Sequence, residues 1–230
     1  FETPPNTEGE PTAKCLIFVT PDAQRSMNTF LGASTELRPS DISKDFIGRS
    51  KILYLEGYLW DPPNAKKAFL EAINIAKAAD TKVALSLSDA FCVDRYRSEF
   101  LDLVRTHVDI LFGNETELLS LYQIENLNEA IGLVQDDCEI VAVTRDSRGS
   151  IVIKNRRVFE IAAQKIDTVI DTTGAGDLYA SGFLYGITRD MDIRQCGKLG
   201  GLVASSIITQ FGARPEESLM PLIDRVAVPN

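Results

Sequence analysis

Asp171-Thr-Thr-Gly-Ala-Gly-Asp177 places two glycines and an alanine immediately before a carboxylate. The strand-like run Asp167 to Ile170 leads into it, and a helical pattern from Ala175 to Ile187 follows. Backbone N–H groups at a helix start have no partner within the helix, and the aligned peptide dipoles add partial positive charge there. Small residues let an anion approach those groups closely. Gly174, Ala175 and Gly176 therefore read as an anion hole for a phosphoryl group. Asp177 stands on the first helical turn beside them. A carboxylate there repels phosphate, so it suits binding poorly, but it suits a base that takes a proton from an attacking hydroxyl. An Asp in a first turn also stabilises a helix without any chemistry, so these residues alone leave both readings open.

Asn114-Glu-Thr-Glu117 follows the apolar run Val108 to Phe112 and opens a helical pattern, Glu115 to Tyr122. Asn114 is a good N-cap and Glu117 falls at the third helical position, which completes a capping-box arrangement. Thr144-Arg-Asp-Ser-Arg-Gly149 is a polar loop between the apolar strand Glu139 to Thr144 and a second β pair. Arg145 or Arg148 offsets phosphate charge there, or both are solvated turn residues. His107 is the only histidine; it lies near the end of a helical pattern and reads as structural.

The elements that must position these residues alternate. Lys51 to Leu55, Lys82 to Leu87, Val108 to Phe112 and Glu139 to Thr144 read as buried strands. Between them lie helical patterns at Asn64 to Ala79, Asp94 to Thr106, Glu115 to Tyr122 and Leu127 to Gln135. Strands separated by such helices imply βαβ units and a parallel sheet covered on both faces. The unbroken apolar run Ile140-Val-Ala-Val143 fits a strand buried on both sides. Ser150 to Lys154 and Arg157 to Ile161 form a hairpin whose tip is the basic run Lys154-Asn-Arg-Arg157. A helix from Ile193 to Gln210 follows the glycine-rich turn, with Gly212 as its C-cap. Lys14 to Thr20 and Arg25 to Phe30 form a separate hairpin about Pro21-Asp-Ala-Gln24, which reads as a lid.

The bulk properties bound the function. With 230 residues the chain can bury a sizeable core, and 44% hydrophobic and 25% charged residues are ordinary for a soluble globular protein. A net charge of −9 with no basic run longer than Lys154 to Arg157 argues against a nucleic-acid partner. No apolar stretch approaches the roughly 18 residues that cross a membrane, so no membrane partner is expected. Cys15, Cys92, Cys138 and Cys196 lack metal-ligand spacing and read as reduced core thiols of a cytoplasmic protein. Phe1 is not an initiator, and the turn-rich run Thr3 to Pro11 reads as an internal loop, so truncation at the N-terminus is expected.

The fourteen residues from Asp171 to Leu184 resemble the C-terminal signature of the PfkB (ribokinase-like) family of carbohydrate and nucleoside kinases. The resemblance implies that Asp177 is the catalytic base and that the Gly174, Ala175 and Gly176 backbone is the anion hole. It further implies that Asp171 and Thr173 help hold a monovalent cation, K⁺. Asn114 to Glu117 matches the family's Asn-x-x-Glu motif, which gives Glu117 the role of ordering water around Mg²⁺. Thr144 and Gly149 match its Thr-x-Gly-x-x-Gly nucleotide loop, with Asp146 where the family usually has Gly. Asp tolerates the unusual φ of such a position better than most residues. Gly200 to Ala204 and Phe211 to Pro215 resemble segments flanking the adenine and the cation, which brings in Ala204 and Gly212; the first stretch equally suits close helix packing. Leu55 to Trp60, Ser88-Asp89 and Gly212 to Pro215 are similar to the bacterial adenosine-kinase-like branch. Arg25 and Asn28 sit in a segment that contacts the substrate in relatives.

The expected fold is accordingly a ribokinase-like three-layer α/β/α domain with a mostly parallel sheet, residues 35–230, preceded by a β lid segment and its linkers, residues 1–34. The expected reaction is transfer of the γ-phosphoryl group of ATP, with Mg²⁺, to a hydroxyl of a nucleoside or sugar. A regulatory module of the same fold without turnover is the alternative. A dehydrogenase is disfavoured, because the glycine-rich turn lies late in the chain and lacks Gly-x-Gly-x-x-Gly. The exposed edges of the lid offer a route to a homodimer.

Overall fold

The computed structural model describes residues 5–227; residues 1–4 and 228–230, including the start of the Thr3 to Pro11 stretch, lie outside the described residues. Six strands form one sheet in chain order: β3 (Ile52–Glu56), β4 (Lys82–Ser86), β5 (Ile110–Asn114), β6 (Ile140–Thr144), β7 (Ser150–Lys154) and β8 (Arg157–Ile161). The first four run parallel and the last two antiparallel. A separate two-stranded antiparallel sheet holds β1 (Lys14–Val19) and β2 (Arg25–Phe30). The six-stranded sheet with helices on both faces is the expected α/β/α sandwich. The boundary read between residues 34 and 35 falls inside a short 3₁₀ turn, Gly32–Glu36.

Period-2 alternation sorts the strand residues into two cores. Val83, Leu85, Leu111, Val141, Val143, Ile151 and Ile153 face one side. They pack there beneath α2 (Pro63–Ala78), α3 (Ala90–Thr106), α4 (Glu115–Tyr122) and α5 (Leu127–Asp137). Ala84, Ile110, Phe112, Ile140, Ala142 and Val152 face the other, covered by α6 (Ala175–Thr188) and α7 (Ile193–Ile207). Both faces are apolar, so the strand stretches read as continuous hydrophobic runs. The short α1 (Lys44–Gly48) precedes β3, and α8 (Met220–Ala227) packs on α7.

Local chemistry accounts for the element boundaries. Proline stands at the first position of α2, and Ala65, Ala68, Phe69, Ala72, Ile73 and Ala76 supply one buried stripe at helical spacing. Asp192 and Gln195 form a reciprocal capping box on α7. Helices α6 and α7 press together through Gly182, where an added methyl would lie 2.9 Å from the Leu199 carbonyl oxygen.

Several expectations need correction. Asp167 to Ile170 is not a strand: no neighbour is available for a ladder, and the Ile170 N–H donates to the Ile208 carbonyl at 2.8 Å. Gly212 is not the cap of α7, which ends at Ile207 with Ile208 as C-cap. Helix α3 starts at Ala90 rather than Asp94, because the Asp89 side chain caps it by accepting from Phe91 N–H at 2.7 Å; the helix kinks at Tyr96. Cys15 is an exposed thiol on the hairpin, and Cys92 is only half-buried, so only Cys138 and Cys196 are core thiols.

Candidate functional site

The C-terminal ends of the parallel strands and the start of α6 meet at one edge of the sheet, where open α/β sheets bind ligands. Helix α6 is placed there by its own packing. Phe183 is fully buried and edge-on to Phe112 of β5, with ring centroids 5.4 Å apart. The Tyr179 hydroxyl and Ser150 Oγ are 2.8 Å apart, both residues being buried, which pins the N-terminal part of α6 to the start of β7.

Gly174 is the N-cap of α6 with φ +79°, a conformation that disfavours any side chain. A methyl added there would come within 2.7 Å of Ala213 Cβ. The Ala175 N–H donates to the Thr172 carbonyl at 3.2 Å, while the amides of Gly174, Gly176 and Asp177 find no acceptor among the described residues. Gly176 borders open space, and Gly176 and Asp177 are both exposed. The Asp177 carboxylate thus shares an open helix start with unpartnered amides.

Asp171 and Thr173 are buried just upstream. Asp171 Oδ1 accepts from the Thr173 N–H at 2.9 Å and from its hydroxyl at 2.6 Å, and Oδ2 accepts from the Gly212 N–H at 2.9 Å. Burial works to raise this carboxyl's pKa, but these bonds and the charge of Arg25 outweigh it and hold the group below the usual carboxylate range. Gly212 therefore secures the Asp171–Thr173 loop instead of ending a helix. The Asp171 and Thr173 side chains are engaged with each other and with Gly212.

On the other side of the sheet edge, Asn114 and Glu117 form the expected capping box, and more tightly than a usual one. Glu117 Oε2 accepts from the Asn114 N–H at 2.9 Å and Oε1 from its amide at 2.7 Å, while Asn114 Oδ1 accepts from the Glu117 N–H at 2.8 Å. Glu117 is only 7% exposed. Burial, with added repulsion from Asp89 and Glu56 and against the pull of the Asn114 N–H, pushes its carboxyl up to about 7. Among the described residues no cluster of three or more His, Cys, Asp or Glu side chains forms a direct metal cage. The donor set here suits a hard cation held through water.

Thr144 ends β6 opposite Asn114 in the ladder. Asp146 has φ +49°, which explains why a glycine is the usual occupant. Gly149 has φ +83°, and a methyl there would strike the Ile161 carbonyl oxygen at 2.0 Å, so this glycine is demanded by the close pass of β8. Ala204 is half-buried and packs against the core under α6. His107 is the C-cap residue of α3, at the end of that helix away from Asp89.

The hairpin reaches the site through Arg25, whose guanidinium donates to the Thr172 hydroxyl. Cross-strand partners share a face: Arg25 pairs with Val19, while Asn28 pairs with Leu16. Arg25 and Asn28 therefore point to opposite faces, and of the two Arg25 is the one bonded to the turn that precedes α6.

Glu56 was missed in the sequence. It ends β3 half-buried, and Ser88 Oγ donates to its Oε2 at 3.0 Å. Burial raises its carboxyl, and the charge of Asp177 adds to this, against hydrogen bonds from Tyr54 and Ser88. Ser88 itself has φ +68°. The available signal was a lone carboxylate at the C-terminal end of an apolar strand, directly before a glycine.

Known proteins are similar to this chain in sequence and fold. An adenosine kinase from Sinorhizobium meliloti is 48% identical with a TM-score of 0.95, over 99% of this chain and 70% of that one. A probable sugar kinase protein from Rhizobium etli CFN 42 is 49% identical with the same TM-score, over 97% of this chain and 68% of that one. A 5-dehydro-2-deoxygluconokinase from Listeria monocytogenes is 29% identical over 201 residues, 84% of this chain and 61% of that protein. The chain thus spans about three fifths of the length of that relative. The family model described as pfkB family carbohydrate kinase matches residues 5–219. With nearly the whole length matched, the chain belongs to the pfkB family of carbohydrate kinases.

Proposed function

We propose that the protein transfers the γ-phosphoryl group of ATP to a hydroxyl of a nucleoside, adenosine-like, or of a sugar. The observation that carries this reading is the exposed Asp177 carboxylate on the same helical turn as the unpartnered Gly176 amide. Asp177 takes the proton of the attacking hydroxyl. The amides of Gly174 to Gly176 hold the transferring group, and the helix start favours its charge. Arg25 brings a cation from the lid, residues 1–34, to the same turn. Thr144, Asp146 and Gly149 shape the loop against which the nucleotide lies, with Ala204 and Gly212 bordering it.

The residues fit a magnesium ion bound indirectly. Glu117 is a buried carboxylate facing Asp89 and Glu56, and its raised pKa marks a place where added positive charge is favourable. Magnesium, when bound, neutralises triphosphate charge. Glu117 would hold the ion's waters, and a monovalent cation would sit at the Asp171–Thr173 loop. The adenosine kinase of Sinorhizobium meliloti and the probable sugar kinase protein of Rhizobium etli support a nucleoside and a sugar acceptor about equally. The open edges of β1 and β2 support pairing of two lids in a homodimer.

The test is ADP release by the full-length protein across a panel of nucleosides and sugars, with wild type and Asp177→Asn. General-base catalysis contributes about 10²- to 10⁴-fold, so the variant should lose about that much in kcat while its ADP affinity stays near wild type. Near-normal turnover by Asp177→Asn would remove the assignment.

A further inference from the structure

Tyr54 lies on β3 two residues before Glu56, so both side chains leave the strand on the face that α6 covers. Across the parallel ladder Tyr54 stands beside Ala84, and Glu56 stands beside Ser86, which in turn stands beside Phe112. Ala84 is small, which leaves room for the Tyr54 ring to meet Phe112 edge-on, with centroids 6.2 Å apart. Phe112 is edge-on to Phe183 of α6 at 5.4 Å, and Phe183 stacks on Tyr179, two residues past Asp177. A continuous run of aromatic rings thus joins β3 to the helix that carries Asp177.

Packing fixes the Tyr54 ring, and its hydroxyl is directed at the carboxylate. It bonds to Glu56 and to Ser86, while Ser88 Oγ donates to Glu56 Oε2 at 3.0 Å. Glu56 is half-buried, and it belongs to none of the ion pairs among the described residues. The groups it faces are Asp177 on α6, Glu117 on α4 and the Tyr58 hydroxyl. A half-buried carboxylate that faces two others without a cation is costly unless donors hold it. We infer that Tyr54 is a positioning residue for phosphoryl transfer. With Ser88 it fixes the direction of the Glu56 carboxylate, and Glu56 repels Asp177 toward the open start of α6, where the attacking hydroxyl arrives. Like charges repel more strongly at such a half-buried edge than in water. The inference deepens the kinase reading and rests on it.

Steady-state kinetics of the full-length protein test it, using whichever nucleoside or sugar gives the fastest ADP release. The variants are Tyr54→Phe, Glu56→Gln and the two combined. Tyr54→Phe keeps the ring and its contact with Phe112, so it removes the hydroxyl alone. It should lower kcat by about tenfold, the factor expected for one hydrogen bond to a charged group, with ADP affinity near wild type. The double variant should match Glu56→Gln, because Tyr54 acts through that carboxylate. If Tyr54→Phe fails to fold, Ser86→Ala, which removes the partner of the Tyr54 hydroxyl, is read in its place. Wild-type kcat in the variant read, or losses that multiply when it is combined with Glu56→Gln, overturns the inference and leaves the kinase reading standing. Absence of ADP release by the wild-type protein with every nucleoside and sugar overturns both.

Discussion

Glu117→Gln should make the nucleotide-free, magnesium-free protein more stable at alkaline pH. The wild-type carboxyl is buried and moved from 4.5 to about 7. The folded state therefore holds this proton more tightly than the unfolded chain does. Stability from this group is fully present below the unfolded value and is lost as pH rises through the folded one. The full loss corresponds to about 3 kcal/mol. Gln carries no charge, so it escapes that loss. It keeps one acceptor for the Asn114 amide but meets the Asn114 N–H with a second donor, which costs about 1 kcal/mol. The two effects nearly cancel at about pH 5, where the wild-type penalty is still below about 1 kcal/mol. By about pH 8 the variant should lead by about 2 kcal/mol. Urea unfolding of both proteins at the two pH values measures the difference directly. A difference that does not change with pH, or a variant weaker at both, would refute the argument that this carboxylate is uncompensated. The same substitution should reduce the magnesium dependence of turnover, since it removes the charge toward which the ion's waters would turn.

Three further outcomes follow from backbone and packing. Gly174→Ala forces a side chain into φ +79° and against Ala213 Cβ, and should cost about 2 kcal/mol or more in urea unfolding together with ADP affinity. At Asp146, φ +49° is tolerated by Gly but not by Ala, so Asp146→Ala should be less stable than Asp146→Gly by about 1 kcal/mol; equal stabilities would show that the loop relaxes freely. Tyr179→Phe removes the partner of the buried Ser150 hydroxyl, and should lower stability by about 1–2 kcal/mol while kcat falls more than ADP affinity, because the base turn is no longer pinned.

Much of the architecture was legible because the physics is local. Ile140 to Val143 is apolar without a break since both faces of β6 are covered, and the alanine stripe of α2 reports its single buried side. Asn114 and Glu117 were legible because a capping box is a three-residue rule. The misreadings concern partners distant in sequence. Asp167 to Ile170 has β-branched residues but no strand beside it, and nothing within those residues says so. Gly212 looked like a helix end because its real partner, Asp171, is 41 residues upstream. Arg25 and Asn28 were grouped although strand alternation already separates them by face. Glu56 was overlooked because one carboxylate at a strand end is unremarkable until Ser88 and Asp177 are seen around it.

Glu117 hangs from a helix on one layer of the sandwich and Asp177 from a helix on the other. The two helices pack on opposite faces, so the sheet is the spacer between them. A substitution that loosens α4 should shift Glu117 and leave Asp177 where it was. On the proposed reading the two halves can diverge independently, one side retuned for the metal and the other for the hydroxyl that is attacked.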